Sequence, residues 1–131
     1  MQHVVDASVA VQACLSRAGF EPLAAYELIA PRLLWSEAAS ALHELAWRGD
    51  ISLDLAREAL ARLEASPIVP RDLPRGPRAA FEIADRLGWA KTYDAEYVAL
   101  AAAVDGVLIT SDARLRRGVT NLIRVIGPAG D

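Results

Sequence analysis

The chain has little of several residue types, and each shortage excludes a class of protein. It contains one cysteine, Cys14, which excludes an intramolecular disulfide and a cysteine-based zinc site and fits a reducing compartment. It has no long apolar segment, because Asp6 interrupts the first apolar run. We therefore expect neither a secretion signal nor a membrane span, and we expect a soluble, cytoplasmic protein. Repeats and low-complexity segments are also absent.

The chain also lacks an excess of positive charge. It has 14 Lys and Arg residues against 17 Asp and Glu residues, a net charge of −3. Nucleic-acid-binding proteins are usually basic, so this balance counts against one. Four of the 17 acidic residues belong to the candidate site described below, however, which leaves 13 against 14 basic residues. The remaining surface is then nearly neutral, and the charge balance excludes little.

Apolar residues, by contrast, are plentiful and make up 53% of the 131 residues. This length suffices for one domain over residues 1–131, with a core that needs no disulfide or structural metal. The apolar fraction exceeds the usual share in soluble domains, and surplus apolar surface often lies in a subunit interface. We therefore expect an oligomer or a tightly bound partner.

Short apolar runs alternate with helical stripes along the chain. Strands are predicted at 3–5, 29–30, 68–69, 107–110 and 123–126. Helices are predicted at 9–15, 21–28, 33–48, 53–63, 79–87, 92–104 and 113–117. Strands that alternate with helices imply right-handed crossovers and a small parallel sheet covered by helices on both faces. The predicted fold class is therefore a three-layer α/β/α domain.

Two aspartates follow predicted strands. Asp6 follows the first strand and Asp112 follows the strand at 107–110. In open parallel sheets, ligands bind at the carboxyl ends of the strands. Helix capping is the structural alternative for each, because aspartate is a favoured N-cap and interacts well with the helix dipole. Ser8 and Ser111 weaken that alternative, since each offers a hydroxyl that can cap instead.

Two further carboxylates lie on predicted helices. At 100° per residue, Asp94 falls inside the buried arc of its helix, whereas Glu96 faces outward. The helix dipole contributes only about 0.3–1 kcal/mol, while desolvating an unpaired carboxylate costs several, so we expect a cation near Asp94. Glu37 lies at the edge of its apolar arc. A solvated position or an ion pair with Arg48 is the alternative there, and Glu44 is a possible decoy.

A metal ion accounts for such a set if the four carboxylates meet. Two bare carboxylates about 4 Å apart repel by about 4 kcal/mol at an effective dielectric of about 20, so a cluster needs bound cations or raised pKa values. Oxygen ligands without histidine or cysteine favour Mg²⁺ or Mn²⁺ over zinc, and His3 and His43 are interpreted as structural. Such an ion activates water and stabilises charge on a phosphate oxygen. The sequence therefore favours metal-assisted cleavage of phosphodiester bonds.

Four segments resemble the PIN-domain family and, more closely, the VapC-type toxins of bacterial toxin–antitoxin pairs. They are VVDAS at 4–8, WSEAASAL at 35–42, TYDAEYVALA at 92–101 and LITSDARL at 108–115. The resemblance covers nearly the whole chain and keeps the order of its elements. The Tyr-Asp-Ala-x-Tyr and Thr-x-Asp pieces are specific in combination, although each is weak alone.

The resemblance implies a PIN-like fold and an endoribonuclease that uses Mg²⁺ or Mn²⁺. It places the acidic quartet of the family on Asp6, Glu37, Asp94 and Asp112. It implies that Asp6 and Asp94 are the principal metal ligands and that Asp112 is a further ligand, direct or through water. Glu37 is the candidate for positioning or deprotonating the attacking water. Ser8 and Thr110 match positions that support the acids by hydrogen bonds.

The resemblance also implies partners: an RNA substrate, a second copy in a homodimer, and a cognate antitoxin whose tail blocks the acidic pocket. Arginines at 71, 75 and 78, and at 114, 116 and 117, are candidates for phosphate contacts. The alternative for these arginines is a solvated surface.

Two other function classes stay open at this stage. A phosphoryl-accepting receiver domain is also a small α/β/α protein, but it needs adjacent acids after the first strand and a lysine after a late strand. Here Asp6 stands alone, and Lys91 opens a helix instead. A catalytically inactive PIN-like binding module is the second alternative, and metal binding without RNA cleavage distinguishes it.

Overall fold

The structure, a computed structural model, describes all residues from 1 to 131. Its five strands are β1 Gln2–Val5, β2 Glu27–Ala30, β3 Val69–Pro70, β4 Val107–Ile109 and β5 Arg124–Ile126. All neighbouring strands run parallel, in the order β3-β2-β1-β4-β5. The central strand, β1, is therefore hydrogen-bonded on both sides.

Six helices accompany the sheet: α1 Ala7–Leu15, α2 Leu33–Trp47, α3 Leu53–Glu64, α4 Pro77–Leu87, α5 Tyr93–Ala103 and α6 Ala113–Val119. Helices α1, α2 and α3 pack against one another, while α4 packs on α5, which also contacts β1 and β4. The predicted three-layer α/β/α class with a small parallel sheet is confirmed. None of the helices combines the length and the apolar character needed to cross a membrane.

The core forms because the central strands are apolar throughout. Val4 and Val5 on β1, and Leu108 and Ile109 on β4, have no exposed surface. Strands of a parallel sheet covered on both faces read as continuous apolar runs, because neither face meets water. These residues belong to a core of 23 buried side chains, in which each large aliphatic side chain contributes about 1.5–3 kcal/mol. The core holds the carboxyl ends of β1 and β4 rigidly side by side.

Local signals set several helix ends. The Ser52 hydroxyl accepts a hydrogen bond from the Leu55 amide at 3.0 Å and caps α3. Gly88 ends α4 in the left-handed conformation, with φ at 73°, which an L side chain rarely adopts. Thr92 stands at the start of α5, but its side chain makes no capping hydrogen bond.

The helix predicted at 21–28 is wrong for most of its length. Only Glu21–Leu23 forms a short 3₁₀ helix, and β2 begins at Glu27. The segment is too short for a stable helix of its own. Its last two residues, Glu27 and Leu28, instead begin β2 and pair with β1, which buries Leu28. Those tertiary bonds outweigh its helical pattern.

Candidate active site

The register of the central strands brings two of the candidate carboxylates to one edge of the sheet. Val5 pairs with Ile109, so Asp6 and Thr110 are the next residues on neighbouring strands. The Asp6 amide donates to the Ile109 carbonyl at 3.2 Å and extends this pairing. Asp112 follows two residues after Thr110. Both aspartates therefore lie at the carboxyl edge, where ligands of open parallel sheets bind.

Asp6 is 5% exposed, and its carboxylate accepts three hydrogen bonds. Its Oδ1 accepts from the Ser8 hydroxyl at 2.6 Å and from the Val9 amide at 3.1 Å, so Asp6 is the N-cap of α1. Its Oδ2 accepts from the Thr110 hydroxyl. A carboxylate offers about four lone-pair positions. Capping therefore leaves Asp6 one position, on Oδ2, for a further ligand.

Asp112 is the N-cap of α6. Its Oδ1 accepts from the amides of Arg114 and Leu115, at 2.9 and 3.2 Å, while no protein group donates to its Oδ2. The Asp112 amide donates to the Thr110 hydroxyl oxygen at 3.0 Å, and the same hydroxyl donates to Asp6. Thr110 thus links the two aspartates by hydrogen bonds.

The serines beside the two aspartates do not cap in their place. The Ser111 hydroxyl donates to the Ser8 hydroxyl oxygen at 2.8 Å, and Ser8 in turn donates to Asp6. The support that the resemblance implied for Ser8 and Thr110 therefore matches their observed hydrogen bonds to Asp6.

Glu37 lies in the second turn of α2, partly buried, and is held by one hydrogen bond. The hydroxyl of Tyr97 on α5 donates to its Oε1 at 2.6 Å. The alternative ion pair with Arg48 is absent, because Arg48 pairs with Glu44 at 3.7 Å and with Asp50 at 3.4 Å. Glu44 is exposed and occupied by that arginine. Glu37, and not Glu44, is therefore the α2 carboxylate at the site.

Asp94 differs from its prediction. Its side chain is exposed, whereas Glu96 is partly buried, so the expected orientation of the two carboxylates is wrong. The reason is that α5 is apolar on all sides, and its buried residues mark no single face. They are Ala95, Tyr97, Val98, Ala99, Leu100 and Ala101. The Asp94 carboxylate makes no hydrogen bond or salt bridge to the protein, so all of its lone pairs are available.

A cavity of about 590 Å³ opens among these residues. Glu37, Asp94 and Asp112 line it, whereas Asp6 is not among its lining residues and is buried. The wall also contains residues to which the sequence assigned no role at the site: Gly88, Trp89, Ala90, Lys91, Tyr93 and Leu115. The available signal was position, because residues 88–93 directly precede Asp94 and share its surroundings.

The carboxylates act on one another electrostatically. Desolvation raises the pKa of Asp6, Glu37 and Asp94 above their ordinary values, although Asp94 is the most exposed of the three. Hydrogen bonds to Asp6 and Glu37 oppose this change. The charge of Asp94 raises the pKa of both Asp6 and Glu37, and the charge of Asp112 raises the pKa of Asp94. The charge of Arg114 lowers the pKa of Asp94 and offsets part of this repulsion. Asp94 therefore interacts electrostatically with each of the other three carboxylates.

The donor set fits a hard divalent cation in its chemistry, because it consists of carboxylate oxygens alone. The structure contains no group of three or more His, Cys, Asp or Glu side chains that could hold a metal ion by themselves. Mg²⁺ commonly binds through one or two carboxylates and keeps several waters. The free oxygens of Asp6, Asp94 and Asp112 suit that mode. Which of them bind a metal stays a prediction.

The positive charges near the site are few. Of the six arginines considered for phosphate contacts, only Arg114 lines the cavity, together with Lys91. Arg116 donates to the backbone carbonyl of Asp131. The three arginines between 71 and 78 are exposed and do not line this cavity. No salt bridge joins any basic side chain to the four carboxylates.

Comparison with known proteins relates most of the chain to one family. A profile described as "PIN domain" matches residues 3–119. Ribonuclease VapC9 of Mycobacterium tuberculosis is 37% identical over 113 residues, which cover 86% of this chain and 87% of that protein. Ribonuclease VapC1 of the same species is 37% identical over 119 residues, 86% of each chain.

Solved structures show the same fold. The crystal structure of PAE2754 from Pyrobaculum aerophilum has a TM-score of 0.78 and 25% identity, and the match covers 98% of this chain and 91% of that one. The structure of FitAB bound to an IR36 DNA fragment has a TM-score of 0.63 over 98% of this chain and 96% of that one. At 14% identity, this second likeness concerns the fold alone.

Proposed function

This chain belongs to the PIN-domain family, and from that membership we propose that it is a metal-dependent endoribonuclease that cleaves RNA phosphodiester bonds. The family also sets aside the receiver-domain alternative. One observation carries the proposal: three carboxylates line one cavity beside a fourth, buried one, and no salt bridge joins any of them to a basic side chain. The names of the similar proteins, Ribonuclease VapC9 and Ribonuclease VapC1, support RNA as the substrate.

The proposed chemistry divides the work among the four carboxylates. A bound Mg²⁺ or Mn²⁺ supplies an activated water and stabilises charge on a phosphate oxygen. Asp6 and Asp94 hold the ion, and Asp112 assists directly or through a water. Glu37 orients or deprotonates the attacking water. Thr110 keeps the Oδ2 of Asp6 in place by its hydrogen bond.

The rest of the wall suits a nucleic-acid strand. Lys91 and Arg114 bring positive charge to an otherwise acidic cavity, where phosphates of the substrate need it. Trp89 and Tyr93 present aromatic rings on the same wall, and unpaired bases stack on such rings. We therefore propose a preference for single-stranded RNA.

The proposed biological role is that of a toxin, acting in the cytoplasm as one PIN-like unit over residues 1–131. The VapC relatives support this role, and the proposed partners are a cognate antitoxin and a second copy of the chain. Exposed large apolar side chains give such partners a surface to cover, among them Trp47 at 80% exposure and Phe81 at 62%. We expect a dimer for the purified chain by light scattering; a monomer at all concentrations would contradict the homodimer.

Replacement of Asp94 by Asn tests the enzyme directly. We expect the variant to lose about 100-fold or more in cleavage of an end-labelled, partly single-stranded RNA with Mg²⁺, since a bound metal supplies several kcal/mol to the reaction. The matched control is Asp54→Asn, which makes the same substitution at the second residue of another helix, α3, outside the cavity lining, and should keep its activity. Chelation of the metal should abolish cleavage by the wild type.

The possible outcomes separate the alternatives. Equal cleavage by the wild type and by Asp94→Asn, with folding unchanged, would remove Asp94 from the chemistry. Calorimetric binding of Mn²⁺ by a wild type that cleaves no RNA would favour the inactive binding module. Cleavage that persists in the chelator would overturn metal dependence.

A further inference from the structure

We propose that Tyr97 is a positioning residue. Its hydroxyl, on α5, holds the Glu37 carboxylate, on α2, at the site by a hydrogen bond between the two helices. The inference rests on the proposed function and deepens it. It concerns a side chain that the sequence places in the core of α5.

The bond itself is short and crosses the fold. The Tyr97 hydroxyl lies 2.6 Å from Oε1 of Glu37, although the two residues are 60 positions apart in the chain. That length is typical of a neutral hydroxyl that donates to a charged carboxylate, and such bonds are roughly twice as strong as neutral ones. A phenol has an ordinary pKa near 10, so it is a donor throughout the physiological range.

The donor is fixed and the acceptor is not. Tyr97 is 1% exposed and belongs to the main core, so its ring has no room to move. Glu37 is only partly buried, makes no salt bridge, and accepts no other hydrogen bond. A free glutamate side chain gains up to about 1.5–2 kcal/mol from rotamer freedom. The Tyr97 bond is thus the one protein hydrogen bond that opposes this freedom.

The surroundings also push Glu37 away. Desolvation raises the pKa of Glu37, and the charges of Asp94, Asp6 and Glu96 raise it further, which means that these carboxylates repel its ionised form. Without an attractive contact, a partly exposed carboxylate turns toward water. The Tyr97 bond supplies that contact through Oε1 and leaves Oε2 without a protein partner, available to a water.

The test compares four variants of the full chain with the wild type. They are Tyr97→Phe, Glu37→Gln, the double variant, and Tyr26→Phe as the matched control. Tyr26 stacks on His3 with ring centroids 4.1 Å apart, so its substitution removes a hydroxyl elsewhere in the fold. Phenylalanine keeps the ring of Tyr97 in the core and removes only the donor.

We expect Tyr97→Phe to lower kcat about 10- to 100-fold with little change in KM, as loss of a supporting hydrogen bond does. Tyr26→Phe should match the wild type. In the Glu37→Gln background, Tyr97→Phe should cause no comparable further loss, because it acts through Glu37. A merely structural role for the hydroxyl would reduce kcat equally in both backgrounds.

A crystal structure of metal-free Tyr97→Phe gives a readout that is independent of activity. We expect Glu37 to leave its position or to occupy several rotamers. Wild-type kcat in Tyr97→Phe, equal losses in both backgrounds, or an unmoved Glu37 would each overturn the inference. If the wild type cleaves no RNA, the proposed function fails instead. In that case, or if Glu37→Gln has no measurable activity, the crystal structure alone tests the inference: a displaced Glu37 supports it and an unmoved Glu37 overturns it.

Discussion

The two carboxylates at the strand ends and the two on the helices are held by different kinds of bonds. Asp6 and Asp112 each accept backbone amide hydrogen bonds and cap a helix. Glu37 and Asp94 accept no backbone hydrogen bond, and only Glu37 has a side-chain donor. The strand-end pair therefore contributes to the backbone structure of the fold, whereas the helix pair does not.

This difference shows that capping and ligand binding are compatible in one side chain. In the sequence, a cap is the structural alternative to a functional role for Asp6 and Asp112. In the structure both residues cap through Oδ1, and Oδ2 keeps lone pairs for a ligand. Because a carboxylate has two oxygens, finding that an aspartate caps a helix does not exclude it from an active site.

The largest expected effect is a difference in stability between a strand-end variant and a helix variant, and its absence would contradict the comparison. We expect Asp6→Ala to lower the free energy of unfolding by about 1–2 kcal/mol, because it removes the α1 cap and leaves the Ser8 and Thr110 hydroxyls without their acceptor. Relief of a buried charge offsets part of the loss. Asp94→Ala removes no protein hydrogen bond and should not destabilise. Urea unfolding of both variants in a chelator measures the difference.

The two alanine variants control for each other, since each removes one carboxylate from the same cluster. A similar loss of stability in both would mean that the helix carboxylates also contribute to the backbone structure of the fold. A gain in stability for Asp6→Ala would mean that the burial of its charge outweighs its capping bonds.

The sequence was sufficient for the fold class because the strands are short apolar runs and the long helices carry clear stripes. It failed at 21–28, where eight residues fit a helical pattern but the last two, Glu27 and Leu28, pair in β2 with β1, a strand distant in the chain. Sheet pairing is a tertiary property, and a local pattern carries little information about it.

The four candidate carboxylates were chosen from the sequence by type and position, and in the structure Asp94 interacts electrostatically with each of the other three. Their role at a site stays a prediction. The orientation of Asp94 was not predictable. The prediction assumed that α5 buries one face, whereas its buried residues lie on several faces. Tyr97 was only partly predictable. Its position among the apolar residues of α5 indicated a core residue, and its ring is indeed buried. The partner of its hydroxyl lies on α2, and no local spacing relates the two.

The smallest expected effect is the contribution of the Asp94 charge to stability. Its sign and its pH dependence distinguish Asp94 from a carboxylate that stabilises its helix. The pKa of Asp94 is raised, first by desolvation and then by the charge of Asp112, and the charge of Arg114 offsets only part of this, so the folded protein retains protons that the unfolded chain releases. Stability therefore falls as the pH rises from about 4 through the raised pKa values. Removing the charge removes this loss, along with the repulsion that Asp94 exerts on Asp6 and Glu37.

Asp94→Asn should therefore be more stable than the wild type at pH 7 in a chelator, with the advantage shrinking toward pH 4. The control is Asp54→Asn, because Asp54 is also the second residue of its helix, α3, but pairs with Arg57. Both variants lose a favourable helix-dipole interaction, but only Asp94→Asn also relieves repulsion from other carboxylates, so Asp54→Asn should be less stable than the wild type by about 0.3–1 kcal/mol. Mg²⁺ should restore the wild type, because a cation compensates the repulsion. If Asp94→Asn is destabilised as much as Asp54→Asn at every pH, Asp94 stabilises its helix and is not destabilised by repulsion from the other carboxylates.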